Sequence, residues 1–189
     1  MNLRSPFKIG IKPKGGSQYV NEIDLDSEKK LVVNSSIEDA EDVQRIGIVV
    51  SLPLINKTSL KLGDEVVVHH NVFRITYDDK GIPRQSDFHF INDLFFISDD
   101  LIYMVIREGK VLGYKDNVFV KPIKEYVAWE GEITIPNKGE LSFPNEKLIN
   151  EGVSQNQKVA IRKFTDYKFH IFGETYYKMT DNRVLATLN

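Results

Sequence analysis

Short segments rich in β-branched and aromatic residues recur along almost the whole chain, and turn sequences separate them. FKIGIKP (7–13) shows the pattern clearly, because Phe7, Ile9 and Ile11 alternate with lysine or glycine. The other segments are RIGIVVSLP (45–53), DEVVVHH (64–70), DLFFIS (93–98), LIYMVI (101–106), NVFVKPI (117–123), EITIP (132–136), KVAIRKF (158–164), KFHIFG (168–173), TYYKM (175–179) and RVLATL (183–188). Only SSIEDAEDVQRI (35–46) has helical character, and we interpret it as a loop or a single turn. The sequence therefore predicts an all-β protein, a barrel or a sandwich.

Composition narrows the classes of function. The 189 residues carry a net charge of −2, which gives no reason to expect nucleic acid as a partner. The absence of cysteine excludes disulfides and thiolate chemistry. The first residues, MNLRSPFKIG, lack the apolar core of a signal peptide, and no apolar run is long enough to span a membrane. A cytoplasmic location is therefore expected.

The second half of the chain repeats the pattern of the first. KLGDEVVVHHNVFR (61–74) and INDLFFISDDLIYMVI (91–106) match SQNQKVAIRKFTDY (154–167) and FGETYYKMTDNRVLATL (172–188). In this matching Phe95-Phe96 corresponds to Tyr176-Tyr177, Ser98-Asp99 to Thr180-Asp181, and Leu101 to Val184. We interpret this as a tandem duplication with a boundary near 107–116. The predicted domains are 1–110 and 111–189.

The order of segments in residues 5 to 107 resembles the GroES-type co-chaperonins. That family has an opening RVIVKP-like strand, a long mobile loop with an apolar tripeptide, two further strands and a close of the form EEYxxxxxSDILAxV. FKIGIKP, KKLVVNSS (29–36), IGIVVSLP (46–53), LKLGDEVVVHHN (60–71) and NDLFFISDDLIYMVI (92–106) occupy those places in order. The resemblance implies two GroES-like, partly closed β-barrels in tandem, the first with a mobile loop at about 14–45.

Several features depart from the family pattern. The first copy has an insert, RITYDDKGIPRQSDFHF (74–90), and SLPLINKT (51–58) replaces the usual glycine after its second strand. In the second copy QNQKVAIRK (155–163) replaces the Gly-Asp turn and the opening loop is shorter. GEITIPN (131–137) lies where an apolar tripeptide is expected, and it is equally compatible with a plain hairpin strand.

The resemblance implies that Leu31, Val32 and Val33 dock on a chaperonin ring of the GroEL type, and that the protein is a ring-forming, homo-oligomeric lid. Gly15 and Gly16 would then give the loop freedom at its root. The alternative for the tripeptide is a short edge strand of the barrel. The alternative for the whole protein is a structural or assembly component, for example of a viral particle, that reuses the barrel. A small hydrolase or binding protein is a third class, for which no site is visible.

No catalytic, metal or cofactor site is predicted. His69 and His70 are adjacent in a predicted strand, so we expect their side chains on opposite faces, where they cannot share a metal. The acid pairs in SDD (98–100) and YDD (77–79) lie where turns need aspartate. We therefore expect a protein that is not an enzyme.

The resemblance also yields a prediction about strand neighbours. FKIGIKP should lie beside LIYMVI, and NVFVKPI beside RVLATL. Apolar residues of LIYMVI or RVLATL should be partly buried between subunits of a ring.

Overall fold

A computed structural model of the chain describes residues 3–20, 22–26, 29–32, 43–129, 131–164 and 167–188. The prediction of an all-β protein is confirmed, since these residues form many strands and a single short helix, α1 (Glu146–Asn150). The strands are β1 Ile9–Pro13, β2 Glu22–Asp26, β3 Lys29–Val32, β4 Ile46–Ser51, β5 Glu65–Val68, β6 Thr76–Tyr77, β7 Pro83–Arg84, β8 His89–Ile91, β9 Leu94–Ile97, β10 Ile102–Arg107, β11 Lys110–Gly113, β12 Asn117–Val127, β13 Gly131–Phe143, β14 Gln157–Ile161, β15 Lys168–Ile171, β16 Glu174–Thr180 and β17 Val184–Thr187. Most of the 35–46 segment lies outside the described residues. The described part of the chain has no apolar helix of membrane-spanning length.

The chain divides into two compact units, Met1–Glu108 and Gly109–Asn189. The six strands that the first unit contributes to its main sheet follow the order β10-β5-β4-β1-β9-β8. The sheet of the second unit follows the order β17-β14-β13-β12-β16-β15. When only the six strands of each sheet are numbered in chain order, both sheets have the order sixth, third, second, first, fifth, fourth. The two halves therefore share one topology. Both orders are linear, so neither sheet closes into a barrel.

The predicted strand neighbours are wrong in both units. β1 pairs with β4 and β9, whereas β10 pairs with β5. Likewise β12 pairs with β13 and β16, whereas β17 pairs with β14. A strand can pair along only two edges. The second edge of β1 is occupied by β9, and the second edge of β12 is occupied by β16. No edge of β1 or β12 remains for the closing strand.

The register repeats as well as the order. Along β1 and β4, Lys12 lies opposite Ile48 and Pro13 opposite Gly47, with a bulge toward the end of β4. The second unit has the same arrangement, with the pairs Lys121–Glu140 and Pro122–Gly139 and a bulge at the equivalent place. The register also corrects the sequence matching by one residue. β9 and β16 place Phe95 in the position of Tyr177, and Ile102 in that of Val184.

A close approach of backbone and side chains fixes this register. A Cβ on Gly47 would lie 3.1 Å from Phe73 and 3.3 Å from the Lys12 carbonyl oxygen. A Cβ on Gly139 would overlap Val120 and lie 2.8 Å from the Lys121 carbonyl oxygen. Gly139 therefore cannot carry a side chain unless its neighbours shift, whereas at Gly47 a side chain would need its neighbours to give by a few tenths of an ångström. Aliphatic and aromatic side chains form the core of each unit. One cluster of buried residues in the second unit consists of Val118, Val120, Leu141, Val159, Ile161 and Met179.

Candidate functional site

The predicted docking segment belongs to the connection between β1 and β4. The two ends of this connection pair with each other near the point where it leaves the sheet. Tyr19 and Val43 form an isolated antiparallel bridge, and both side chains are buried. The Gln44 amide donates to the Gln18 carbonyl oxygen at 2.9 Å. The outgoing and returning strands of the loop therefore start from a fixed neck.

Tyr19 holds this neck against the body of the first unit. Its ring is only 3% exposed. Its hydroxyl accepts a hydrogen bond from the Ile75 amide at 2.9 Å and donates to the Ile75 carbonyl oxygen at 3.3 Å. The Gln18 side-chain amide donates to the Phe73 carbonyl oxygen at 2.9 Å. The sequence predicted that the loop gains its freedom at Gly15 and Gly16. Gln18 and Tyr19 follow these glycines in the chain and are still hydrogen-bonded to the rest of the first unit.

Beyond the neck, β2 and β3 form a hairpin of their own. Its register places Leu31 opposite Ile23 and Val32 opposite Glu22. Within the described residues, this two-stranded sheet is separate from the main sheet of the unit. That arrangement differs from the alternative in which the tripeptide is an edge strand of the barrel. Val33, the third residue of the predicted tripeptide, lies outside the described residues.

The hairpin sequence explains its pairing. The register sets Lys30 opposite Asp24 and Lys29 opposite Asp26. A two-stranded hairpin alone is marginally stable in water, so the fixed neck favours its formation.

The histidine pair is arranged differently from the prediction. β5 ends at Val68, and His69 precedes a 3₁₀ turn at His70–Val72. The two imidazole rings therefore stack, with centroids 4.2 Å apart, instead of pointing to opposite faces. Burial lowers the pKa of His70 to about 4, with further lowering from the nearby charges of His69, Arg45 and Arg74. Among the described residues no group of three histidine, aspartate or glutamate side chains is placed to hold a metal ion.

Residues of the 74–90 insert, together with Asn71, line an open cavity of about 370 Å³. Its walls are Asn71, Arg74, Thr76, Gln85, Ser86, Asp87 and Phe88. The Ser86 hydroxyl donates to the Val72 carbonyl oxygen at 2.6 Å, so its proton is committed to the backbone. No described histidine or carboxylate hydrogen-bonds this hydroxyl to activate it.

Two aspartates of the first unit, Asp64 and Asp78, accept hydrogen bonds from amides in turns, and Asp78 belongs to the YDD segment for which the sequence predicts a turn. Asp78 accepts hydrogen bonds from the Lys80 and Ile82 amides at 3.0 and 2.9 Å. Asp64 is buried, accepts from the Lys61 amide at 2.7 Å and is paired with both Nε and Nη2 of Arg107. The hydrogen bonds from Arg107 lower the pKa of Asp64, although burial opposes them. Because the Asp64 carboxylate is hydrogen-bonded to both Lys61 and Arg107, we interpret it as a residue that stabilises the fold.

One exposed feature was missed by the sequence reasoning. The connection between β12 and β13 is the topological equivalent of the loop between β1 and β4, and it forms a long hairpin. Trp129, the sole tryptophan, lies at its tip and is 91% exposed, and Tyr126 is 81% exposed. The sequence signal is the run AWEGE (128–132), in which a tryptophan stands among turn-forming residues instead of inside an alternating strand.

No protein-family model matches the chain, and no curated protein matches it at a significant level.

Proposed function

We propose that the protein is a co-chaperonin, a ring-forming lid that docks on a GroEL-type chaperonin ring through Leu31, Val32 and Val33. The single observation that carries this proposal is the β2–β3 hairpin. Leu31 and Val32 belong to β3, which forms with β2 a two-stranded sheet that is separate from the main sheet among the described residues and that follows the Tyr19–Val43 bridge. The order of segments that resembles the GroES-type family supports the same proposal. In it each unit is a partly closed GroES-like barrel, the location is cytoplasmic, and no cofactor takes part.

The energetics of such docking suit a reversible lid. Full burial of an aliphatic side chain contributes about 1.5–3 kcal/mol. Ordering a loop backbone opposes binding by roughly 1–2 kcal/mol per residue. A loop that is already paired as a hairpin loses less of this entropy when it binds. One loop then binds weakly, whereas several loops on one ring bind strongly through effective concentration.

The proposal is tested by capture on a purified GroEL-type chaperonin with and without nucleotide. The triple substitution Leu31→Ser, Val32→Ser, Val33→Ser should abolish capture and leave the unfolding midpoint nearly unchanged. The matched control is Ile82→Ser, an exposed aliphatic residue in the 74–90 insert, which should be captured like the wild type.

Two results would refute the docking role. Normal capture of the triple variant would show that the tripeptide is not the contact. A loss of several kcal/mol of stability would show that these side chains belong to the core of the protein, because that is the cost of truncating buried aliphatic residues.

A further inference from the structure

The cavity beside the 74–90 insert has walls that are held in place by hydrogen bonds. The Ser86 hydroxyl donates to the Val72 carbonyl oxygen at 2.6 Å, and the Ser86 carbonyl oxygen accepts from the His89 amide at 3.0 Å. The Phe96 amide donates to the Phe88 carbonyl oxygen at 2.9 Å, which ties this wall to β9. Because the walls are fixed in advance, little loss of conformational entropy opposes the binding of a ligand.

A further wall residue, Gln85, is fixed by two reciprocal hydrogen bonds with Gln18. Nε2 of Gln18 donates to Oε1 of Gln85 at 2.8 Å, and Nε2 of Gln85 donates to Oε1 of Gln18 at 3.2 Å. A side-chain amide has two N–H groups and an oxygen that accepts two hydrogen bonds. The pair with Gln18 uses one donor and one acceptor position of Gln85, so one of each remains for a ligand.

The charges of the walls favour a neutral ligand. Among the described residues that line the cavity, Arg74 carries a positive charge and Asp87 a negative one, so their formal charges cancel. A phosphate ion would meet the Asp87 carboxylate, and an ammonium ion would meet the Arg74 guanidinium. A hydroxyl group both donates and accepts hydrogen bonds, so it suits walls that offer donors and acceptors together.

The walls also include an aromatic side chain and have room for a small molecule. Phe88 is half-buried, and it lines the cavity together with the polar residues. Aromatic rings pack against apolar groups, and the C–H groups on the face of a sugar ring are of that kind. The volume of about 370 Å³ lies near the lower end of the range of small-molecule sites, about 300–1,000 Å³.

We propose that this cavity is a binding site for a neutral mono- or disaccharide, with sugar hydroxyls on Arg74 and Asp87 and a C–H face against Phe88. The side-chain amides of Asn71 and Gln85 bind further hydroxyls. The site goes beyond the proposed function, because a sugar ligand has no part in docking on a chaperonin ring. The insert that provides most of the walls is itself a departure from the GroES-type pattern.

Nuclear magnetic resonance titration of the full chain tests the proposal. The probes are the methyl glycosides of glucose, galactose, mannose and N-acetylglucosamine, with maltose and lactose as disaccharides, each up to about 50 mM. At least one of them should bind with a Kd of about 1 mM, the affinity expected of a small neutral ligand in an open cavity. The backbone amides of Asn71, Gln85 and Phe88 should shift, whereas the Val159 amide in the core of the second unit should not.

Two variants test the contacts. Asp87→Ala should weaken binding by at least about tenfold, because hydrogen bonds to a carboxylate are lost. Phe88→Leu retains an apolar side chain without the ring and should weaken binding by about three- to tenfold. The matched control is Asp79→Ala, which removes the same charge from an exposed aspartate of the same insert that does not line the cavity, and it should bind like the wild type. Urea midpoints close to that of the wild type show that the variants are folded.

Three results would overturn the proposal. The first is that no sugar of the panel shifts the cavity amides of the wild type. The second is that folded Asp87→Ala binds as tightly as Asp79→Ala, because the carboxylate would then make no contact with the ligand. The third is that inorganic phosphate or glycine shifts the same amides at lower concentration than any sugar, which would identify a site for charged ligands.

Discussion

Substitution of Tyr19 by phenylalanine should loosen the neck of the β1–β4 connection without enlarging any cavity. The ring stays buried, but the hydroxyl that bonds both backbone groups of Ile75 is removed. Leaving a buried donor or acceptor without its partner costs about 1–3 kcal/mol. Ile75 is half-buried, so water replaces part of the loss. We therefore expect the lower part of that range, about 1–2 kcal/mol.

Urea unfolding provides the assay. With a slope of about 2 kcal/mol per molar, the expected loss moves the midpoint of the first unit by roughly 0.5–1 M. The matched control is Tyr77→Phe, which removes a hydroxyl from an exposed tyrosine and should leave the midpoint unchanged. Hydrogen exchange at the Ile75 and Gln44 amides should accelerate in the Tyr19 variant, because both report on the neck.

Equal midpoints for the two tyrosine variants would refute the reasoning. They would show that the neck opens freely in the wild type and that Tyr19 does not hold the loop. Faster exchange at Ile75 with unchanged exchange at Gln44 would show that the hydroxyl anchors the 74–90 insert alone.

Three further predictions concern the framework. His70→Gln should reduce the acid sensitivity of stability between pH 6.5 and 4. The folded pKa of about 4 lies below the unfolded value, so the unfolded state takes up more protons there and wild-type stability falls as the pH falls, by about 1–3 kcal/mol; equal pH profiles would contradict this. Gly139→Ala should destabilise the second unit by about 1–3 kcal/mol. The loss should exceed that of Gly47→Ala in the first unit, because the contacts at Gly139 are closer. A calorimetric loss for Gly139→Ala that is equal to or smaller than that for Gly47→Ala would contradict this prediction. Asp64→Asn should cost about 2–3 kcal/mol by removing a charge-assisted pair with Arg107, and urea unfolding within 0.5 kcal/mol of wild type would show that the pair contributes nothing.

The class of the fold and the positions of strands were predictable from the sequence. Alternation and turn residues are local signals, and β1, β5, β9 and β16 lie within the predicted segments or extend them by a residue or two. The repeat was also predictable, because a serine or threonine followed by aspartate begins a 3₁₀ turn in both units. Its alignment was off by one residue in places, since side-chain similarity does not fix register.

Strand neighbours and the histidine geometry were not predictable. Which strand fills the second edge of β1 depends on partners distant in the sequence, and the resemblance gave the wrong one. The error at His69 concerns the end of β5, which was predicted to include both histidines and ends at Val68. The turn that follows stacks the two imidazole rings, whereas a longer strand would point them to opposite faces. Boundaries of that precision are set by tertiary packing.

Trp129 escaped the sequence reasoning for a related reason. Aromatic residues are usually buried, and its exposure follows from the length of the β12–β13 hairpin. Pairing extends past the Pro122–Gly139 position to Val127 and Gly131, which carries the turn beyond the packed part of the sheet. Only the register of the two strands reveals this.

The two units share the strand order, the register and the contacts that fix them, and they differ in the connection between the first two strands of the main sheet. In both, the lysine before the proline of the opening strand pairs with an acid near the fourth-to-fifth strand turn, Lys12 with Asp93 and Lys121 with Glu174. The glycine opposite that proline is shared as well. The connection that follows the proline is free of these constraints. There the first unit has the β2–β3 hairpin, whereas the second has an exposed aromatic tip with Tyr126 and Trp129. A duplicated framework that keeps its register can change this connection in one copy without loss of folding. The β1–β4 and β12–β13 connections are therefore the parts of the two units that can change independently of each other.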